Sequence, residues 1–381
     1  MNILFCYRNS FNPAKGGVQR VCDTLSKYFV FKGHSVYYLT YLREDNDNYF
    51  LSSNTFRLPD PVFNSANNLN FYNSLLETLS IDIIINHDAT NDRSKFFLDV
   101  GTKSVKVISL YHQNPLQGIF NSPKSRFGEI IYKLFPVIIS SIKKKRRRAE
   151  LKYLISRSDR LVVLSEEFII DLKIKLNLRS RKIISIGNPI KLGMNDNSIN
   201  IRKRKQIIFV GRLEMVQKRP DSALRIWASL EAKFPEWELI FLGDGPDRAY
   251  VENLSNSLNL VHVKFKGFVD PLPFYRESSI LCMTSDYEGF GLALAEAMQF
   301  GVVPIVFDNW SSLKDIIIHN ETGLLIPQGD MAGYVESLEL LMKDDHLRKR
   351  LSDNAKVFVR KFSIDEIGKK WLNLFNELAV T

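Results

Sequence analysis

An α/β fold in two domains, each built on a parallel sheet, is what this sequence predicts, and three observations carry the prediction. Short apolar runs alternate with stretches of helical periodicity almost from end to end, the pattern that builds β-α-β units. The chain has 381 residues, more than one hydrophobic core usually serves. A polar stretch from Gly187 to Lys205, holding Gly193, Asn195, Asp196 and Asn197, separates two such series. It marks the expected boundary, between residues 190 and 191.

The first series opens with Ile3-Leu4-Phe5-Cys6-Tyr7, an apolar run too short for a secretory signal and suited to a strand. Val18, Val21, Cys22, Leu25, Tyr28 and Phe29 follow at helical spacing, and Gly33 ends that helix. Between strand and helix lies Lys15-Gly16-Gly17-Val18. Such a glycine pair at a helix start can bring backbone N–H groups to a phosphate or a sugar. It is not G-x-G-x-x-G, so the dinucleotide fingerprint fails here. Further strands are expected over residues 36–40, 81–85, 105–110, 160–164 and 182–186. His87 and His112 lie just past two of these strands, where open parallel sheets bind ligands. A lone histidine is more often structural than catalytic, and that position favours function more for His112 than for His87.

The second series has strands expected over residues 206–210, 238–242, 261–265, 279–283 and 302–306. Pro220 can open the helix after the first of them, because its missing N–H would be unpaired there anyway. The last helix, over residues 364–378, carries Trp371, Leu374 and Phe375 on one face.

Composition excludes more than it selects. With 45% hydrophobic and 25% charged residues the chain can bury a substantial core. Cys6, Cys22 and Cys282 form no C-x-x-C pair and no disulfide framework, which suits a reducing, cytoplasmic compartment and reads as core packing. No run approaches the ~18 apolar residues of a transmembrane helix, so a soluble or peripheral protein is expected. The formal charge of +10 favours an anionic partner. Its densest cluster is Lys143-Lys144-Lys145-Arg146-Arg147-Arg148, preceded by the apolar Ile130 to Ile139 segment. Apolar insertion beside basic attraction suits an anionic membrane surface, from Ile130 to Arg148; a solvated helix face accounts equally for the charge alone. No nucleic-acid-binding signature is present, and no nucleic-acid partner is expected.

The chemistry concentrates after the second-half strands. Glu288-Gly289-Phe290-Gly291-Leu292 leads into a helix that carries Glu296. A helix N-terminus favours anionic oxygens, and carboxylates on either side suit a ligand with hydroxyls at both ends, as in a nucleotide sugar. Two solvated glutamates on an amphipathic helix are the plainer account of those residues alone. Gly211-Arg212-Leu213 and Lys218 place two cations where a diphosphate could sit, and Gly243-Asp244-Gly245-Pro246 forms a turn. The single D-x-D, Asp45-x-Asp47, lies in a polar loop, and no metal site is expected.

These motifs, with Glu296-Ala297, Gly301-Val302-Val303-Pro304 and Glu321-Thr322-Gly323-Leu324-Leu325, together resemble the retaining family-four glycosyltransferases of the GT-B fold, of the bacterial polysaccharide and lipopolysaccharide type. The first half is similar more thinly, through Gly16-Gly17, His112, Leu164-Ser165-Glu166 and Ile186-Gly187-Asn188-Pro189. The resemblance implies two Rossmann-like domains facing across a cleft: an acceptor domain of residues 1–190 with the C-terminal helix, 363–381, crossing back to it, and a donor domain of residues 191–362. It implies that Arg212 and Lys218 hold a diphosphate, that Glu296 holds the ribose, and that Glu288 contacts the donor sugar with backbone N–H groups of Gly289, Phe290, Gly291 and Leu292. Gly16 and Gly17 would lie against the diphosphate and His112 would line the reaction centre. The expected activity is transfer of a hexose or N-acetylhexosamine from a UDP-linked donor to a lipid-linked glycan acceptor, with no cofactor and no metal. A nucleotide-sugar epimerase or phosphorylase on the same scaffold, or a silent membrane subunit, are the competing expectations.

Overall fold

The computed structural model describes residues 1–41, 54–89, 95–99, 105–119, 134–190 and 203–380. The chain divides into two compact units, Met1–Pro189 with Ile364–Thr381, and Ile190–Ser363. The polar residues 191–202 expected at the boundary, Asp45-x-Asp47 and residues 130–133 lie outside the described residues.

Unit 1 runs β1 (Asn2–Tyr7), α1 (Gly17–Phe31), β2 (Ser35–Thr40), β3 (Thr55–Arg57), α2 (Ala66–Thr78), β4 (Ile83–Asn86), α3 (Phe96–Asp99), β5 (Lys106–Tyr111), α4 (Pro136–Arg157), β6 (Arg160–Val163), α5 (Glu166–Lys175) and β7 (Ile183–Ser185). Unit 2 runs β8 (Arg204–Val210), α6 (Pro220–Ala228), β9 (Glu238–Leu242), α7 (Arg248–Ser257), β10 (Val263–Phe265), α8 (Leu272–Glu277), β11 (Ser278–Met283), α9 (Leu292–Gln299), β12 (Val303–Asp308), α10 (Leu313–Ile316), β13 (Leu324–Pro327), α11 (Met331–Lys343) and α12 (Asp345–Phe358). The last helix, α13 (Ile364–Val380), belongs to unit 1. Each unit is thus a Rossmann-like α/β body, and the seven-stranded and six-stranded sheets are wholly parallel.

Strand order is β3-β2-β1-β4-β5-β6-β7 in unit 1 and β10-β9-β8-β11-β12-β13 in unit 2. Both sheets reverse direction of growth beside their first strand, between β1 and β4 and between β8 and β11. Loops at the carboxyl ends of those neighbours diverge to opposite faces, leaving the crevice in which such sheets bind ligands. Central strands carry unbroken apolar runs because helices cover both faces: Ile3, Leu4, Phe5, Ile84, Ile280 and Leu281 are fully buried.

Two strands are additional to those expected from the sequence, β3 and β13, and both sit at sheet edges. β3 is three half-buried residues, and β13 ends at Pro327. Pro220 does open α6, and α1 stops at Phe31 with Gly33 at φ 84°, the left-handed turn that glycine makes at low cost. The core of unit 2 gathers Phe209, Trp227, Trp237, Phe241, Ile305 and Tyr334 between sheet and helices. Tyr334 makes its burial tolerable by donating its hydroxyl to the Ile305 carbonyl at 2.6 Å. α13 lays Trp371 and Phe375 on Phe29 of α1, with ring centroids 6.4 and 5.1 Å apart. Gly368 permits this approach, since a Cβ there would stand 2.2 Å from Cε1 of Tyr28.

Candidate functional site

In unit 2 the loops after β8 and β11, which leave adjacent strands at the switch point, are bound to one another. Thr284 Oγ1 donates to the carbonyls of Lys218 and Arg219 at 3.1 and 2.8 Å, and the Asp286 amide donates to Gln217 O at 2.7 Å. Arg219, which caps α6, has the left-handed φ of 49° and is held there by a forked contact to Asp221 at 3.0 and 3.1 Å. A non-glycine residue in that region stores backbone strain, which accumulates near functional loops. Asp286, whose carboxyl is pushed up by burial against the pull of Arg219, lies on the same junction.

The result is an ion pair between two residues that the sequence singles out separately. Lys218 Nζ lies 2.5 Å from Glu288 Oε1, with side chains 18% and 9% exposed. Gln217 Nε2 adds bonds to Tyr287 O at 3.2 Å and to Glu288 Oε2 at 3.4 Å. Arg212, by contrast, is 68% exposed and only loosely paired with Glu214 at 3.7 Å, so its guanidinium is available to an anionic ligand.

Glycine makes the floor of this site possible. The aliphatic stem of Lys218 passes over Gly211, whose hypothetical Cβ would meet Cδ and Cε at 3.3 Å. Beneath, the loops after β8 and β9 touch backbone to backbone: a Cβ on Gly243 would lie 2.0 Å from Gly211 O, and one on Gly245 2.4 Å from Leu213 O. Backbone hydrogen bonds join them, the Gly211 N–H donating to Leu242 O and the Leu213 N–H to Asp244 O, each at 3.0 Å. The Gly243 to Pro246 turn therefore shapes the Arg212 loop from below.

The span from Glu288 to Glu296 is not one continuous helix. α9 begins at Leu292 with Gly291 as its left-handed cap at φ 83°, so Glu288 stands in the loop before it. Gly289 carbonyl is fixed by Ser312 Oγ at 3.1 Å, and Phe290 is buried edge-on against Phe362. Glu296, half-buried on α9, accepts a bond from the Tyr275 hydroxyl at 3.1 Å. Glu288 and Glu296 thus have different partners and different surroundings. Sequence reading finds Lys218, Glu288 and Glu296 but not Gln217, Thr284 or Tyr275. Gln217 had a local signal, adjacency to Lys218; Tyr275 had none, since it comes from α8, 21 positions earlier.

In unit 1, Gly16 precedes α1 and Gly17 is its first residue, following a short turn capped by Asn12. His87 and His112, expected singly, form a stacked pair: Nδ1 of His87 is 3.1 Å from Nε2 of His112, with ring centroids 5.3 Å apart. Cys22 Sγ is 3.4 Å from the same Nδ1, tying α1 to the pair. Burial lowers His112 to about 3, and burial with the neighbouring His112 holds His87 well below its ordinary value, so both rings are neutral at pH 7. Burial likewise pushes the Cys22 thiol well up, which keeps it a packing group and not a nucleophile. Next to His87, Asp88 accepts from Tyr41 and faces Arg8 at 3.5 Å; burial raises it against both.

The three cysteines are unpaired and buried. Among the described residues no three His, Cys, Asp or Glu side chains are grouped to hold a metal ion, and no helix is long and apolar enough to cross a membrane.

Comparison with known proteins agrees with both units. The family model "Glycosyltransferase Family 4" matches residues 15–193, and "Glycosyl transferases group 1" matches residues 195–358. An uncharacterized glycosyltransferase of Haemophilus influenzae is 32% identical over 225 residues, covering 58% of this chain and 62% of the relative. The GalNAc-alpha-(1->4)-GalNAc-alpha-(1->3)-diNAcBac-PP-undecaprenol alpha-1,4-N-acetyl-D-galactosaminyltransferase of Campylobacter jejuni is 32% identical over 181 residues, 47% of this chain and 50% of its own length. The chain thus spans less than two thirds of the length of these curated relatives. Among solved structures, S. aureus TarM in complex with fondaparinux, alpha-GlcNAc-glycerol and UDP superposes with a TM-score of 0.77 at 16% identity, covering 98% of this chain and 99% of that one. At that identity the likeness is one of fold.

Proposed function

Because this chain belongs to the family-four glycosyltransferases of the GT-B fold, we propose that it is a retaining glycosyltransferase of bacterial cell-envelope polysaccharide assembly. Its donor is a nucleotide diphosphate sugar, UDP-linked, and it moves a hexose or N-acetylhexosamine to a lipid-linked glycan. The observation that carries this reading is the Lys218–Glu288 pair at the β8/β11 switch point with Arg212 beside it. A diphosphate needs cations on a close-approaching backbone, and a sugar needs hydrogen-bond acceptors next to them; this loop pair supplies both.

In the reaction, the bond from the sugar's anomeric carbon to the diphosphate oxygen breaks and a bond to the acceptor oxygen forms on the same face. The acceptor's proton passes to the departing phosphate oxygen, so no separate base is required. Negative charge grows on the leaving diphosphate, and Arg212, Lys218 and the amides opening α9 stabilise it in place of a metal. Glu288 then orients the sugar through its hydroxyls and Glu296 the ribose.

The protein works at the cytoplasmic face of a membrane. Supporting this, Phe135, Val137, Ile138 and Ile142 are exposed at the start of α4, directly before its basic run. The Campylobacter relative is named for a PP-undecaprenol-linked acceptor, which supports the lipid-linked assignment.

A thermal-shift screen against UDP, GDP, ADP, NAD and their sugar conjugates, with EDTA throughout, tests the donor assignment. A ligand of the folded state raises the melting temperature by mass action. A selective shift with UDP or one UDP-sugar is expected; a shift with NAD alone overturns the reading. Product analysis completes the test. Conversion of the donor without an acceptor would make the protein an epimerase, and dependence on inorganic phosphate a phosphorylase.

A further inference from the structure

Unit 1 contains a cavity of about 860 Å³ whose wall carries five cations, Arg8, Lys95, Lys143, Arg146 and Arg147, against one carboxylate, Glu150. Nothing in the donor chemistry uses it. Lys143, Arg146, Arg147 and Glu150 stand at i, i+3, i+4 and i+7 on α4 and so share one face. A basic helix face turned to open water would be unremarkable; this one lines a concavity, joined there by cations from two other parts of the unit.

Four of the five cations are positioned rather than loose. Arg147 is held by the Tyr111 hydroxyl, donates to Pro115 O at 3.2 Å and meets Glu150 at 3.2 Å, which leaves Nη2 for a ligand. Lys143 Nζ donates to Gly118 O at 3.0 Å, and Lys95 Nζ lies 5.3 Å over the ring of Tyr153. Arg8, the residue immediately after β1, is oriented by Asp88. Arg146 has no hydrogen bond or ion pair among the described residues.

Like charges gathered in a concave wall repel one another, and a bound polyanion relieves that cost. Guanidinium forks match phosphate oxygens in pairs, and the cavity has room for a diphosphate with its first sugar. Two further features narrow the ligand. Gln113, on the cavity wall, directly follows His112, so an acceptor held here has its sugar end close to that histidine. Ile142 and Ile138, exposed on α4 one and two turns before Arg146, extend an apolar path away from the basic face.

We infer that this cavity is a second diphosphate site, independent of the nucleotide site in unit 2, and that it takes the diphosphate of a lipid-linked acceptor. The assignment to an acceptor rests on the glycosyltransferase reading; the diphosphate site itself does not.

The test is calorimetry on the full chain with UDP present at saturation, titrating inorganic pyrophosphate, geranyl diphosphate and glucuronate. Pyrophosphate should bind, geranyl diphosphate should bind at least about 5-fold tighter through Ile138 and Ile142, and glucuronate should not bind. The Lys143→Ala/Arg146→Ala double variant, which removes two of the cations from the cavity wall, should weaken both diphosphates by about 10-fold or more with UDP affinity unchanged. Absence of pyrophosphate binding, or equal affinity in the double variant, overturns the site. Equal affinity for pyrophosphate and geranyl diphosphate overturns the lipid assignment. Binding of pyrophosphate that the double variant loses, in a protein that ignores UDP, supports the site while removing the nucleotide reading.

Discussion

Replacing Glu288 by glutamine should tighten UDP binding while slowing transfer, and the two effects have separable origins. In the ligand-free protein the charge of Lys218 is engaged by Glu288 at 2.5 Å, largely away from water. An arriving diphosphate must share that lysine and accept a carboxylate as neighbour. Two unit charges about 5 Å apart at an effective dielectric near 20 repel by roughly 3 kcal/mol. The shared Lys218 and the Gln217 amide offset about half of this, leaving about 1–2 kcal/mol, or about 5- to 30-fold in UDP affinity. Glutamine keeps the shape and can still accept from Lys218, so the loop should hold its form. Transfer falls for another reason: a carboxylate accepting sugar hydroxyls is worth about 1.5–3 kcal/mol per charged bond, hence about 10- to 100-fold in turnover at saturating donor. Titration calorimetry with UDP and a coupled transfer assay read the two quantities. UDP binding that is unchanged or weaker in Glu288→Gln would refute the placement of the diphosphate at Lys218.

Three other perturbations follow from the geometry. Gly243→Ala sets a methyl group 2.0 Å from Gly211 O at a φ of 145°; we expect about 2–4 kcal/mol lost in urea unfolding, with UDP binding impaired, and a loss under about 1 kcal/mol would contradict the backbone contact. His112 titrates near 6.5 when unfolded and about 3 when folded. Between these values the unfolded chain binds more protons, so stability is full above about 6.5 and declines as pH falls; at pH 5 the loss from this residue is about 2 kcal/mol, and His112→Asn should flatten the profile by that amount. Val137→Ser/Ile138→Ser, which removes two exposed apolar groups from the start of α4, should reduce flotation with anionic vesicles by several-fold. Unaltered flotation would count against α4 as the membrane contact.

How much was legible in the sequence depended on how many constraints each segment carries. β1, β4, β8 and β11 announce themselves because burial on both faces demands unbroken apolar runs. β3 and β13 do not; an edge strand of three or four residues has one neighbour and little buried surface to impose a pattern, and of the four edge strands β7 and β10 were legible while these two were not. Lys218 and Glu288 could each be picked out from glycine-rich surroundings after strands, yet their pairing spans 70 positions and is created by the adjacency of β8 and β11. The histidines show the same limit: each was visible after its strand, but their stacking comes from the pairing of β4 with β5. The cavity of unit 1 was half visible. Its α4 cations stood out as a charge run, whereas Arg8 and Lys95 are single cations that only the fold brings to it.

The bonds from Thr284 and Asp286 to the backbone of Gln217, Lys218 and Arg219 have a kinetic consequence. They fasten the two loops that carry the lysine and the glutamate, so neither loop needs to swing when the lysine trades its carboxylate for a phosphate. The exchange is left to rotation about side-chain bonds, which takes picoseconds to nanoseconds, whereas loop rearrangement takes nanoseconds to microseconds and domain motion longer still. Unit 2 is therefore built to recharge between turnovers without a conformational delay of its own, and any slow phase seen on mixing with nucleotide should originate elsewhere in the chain.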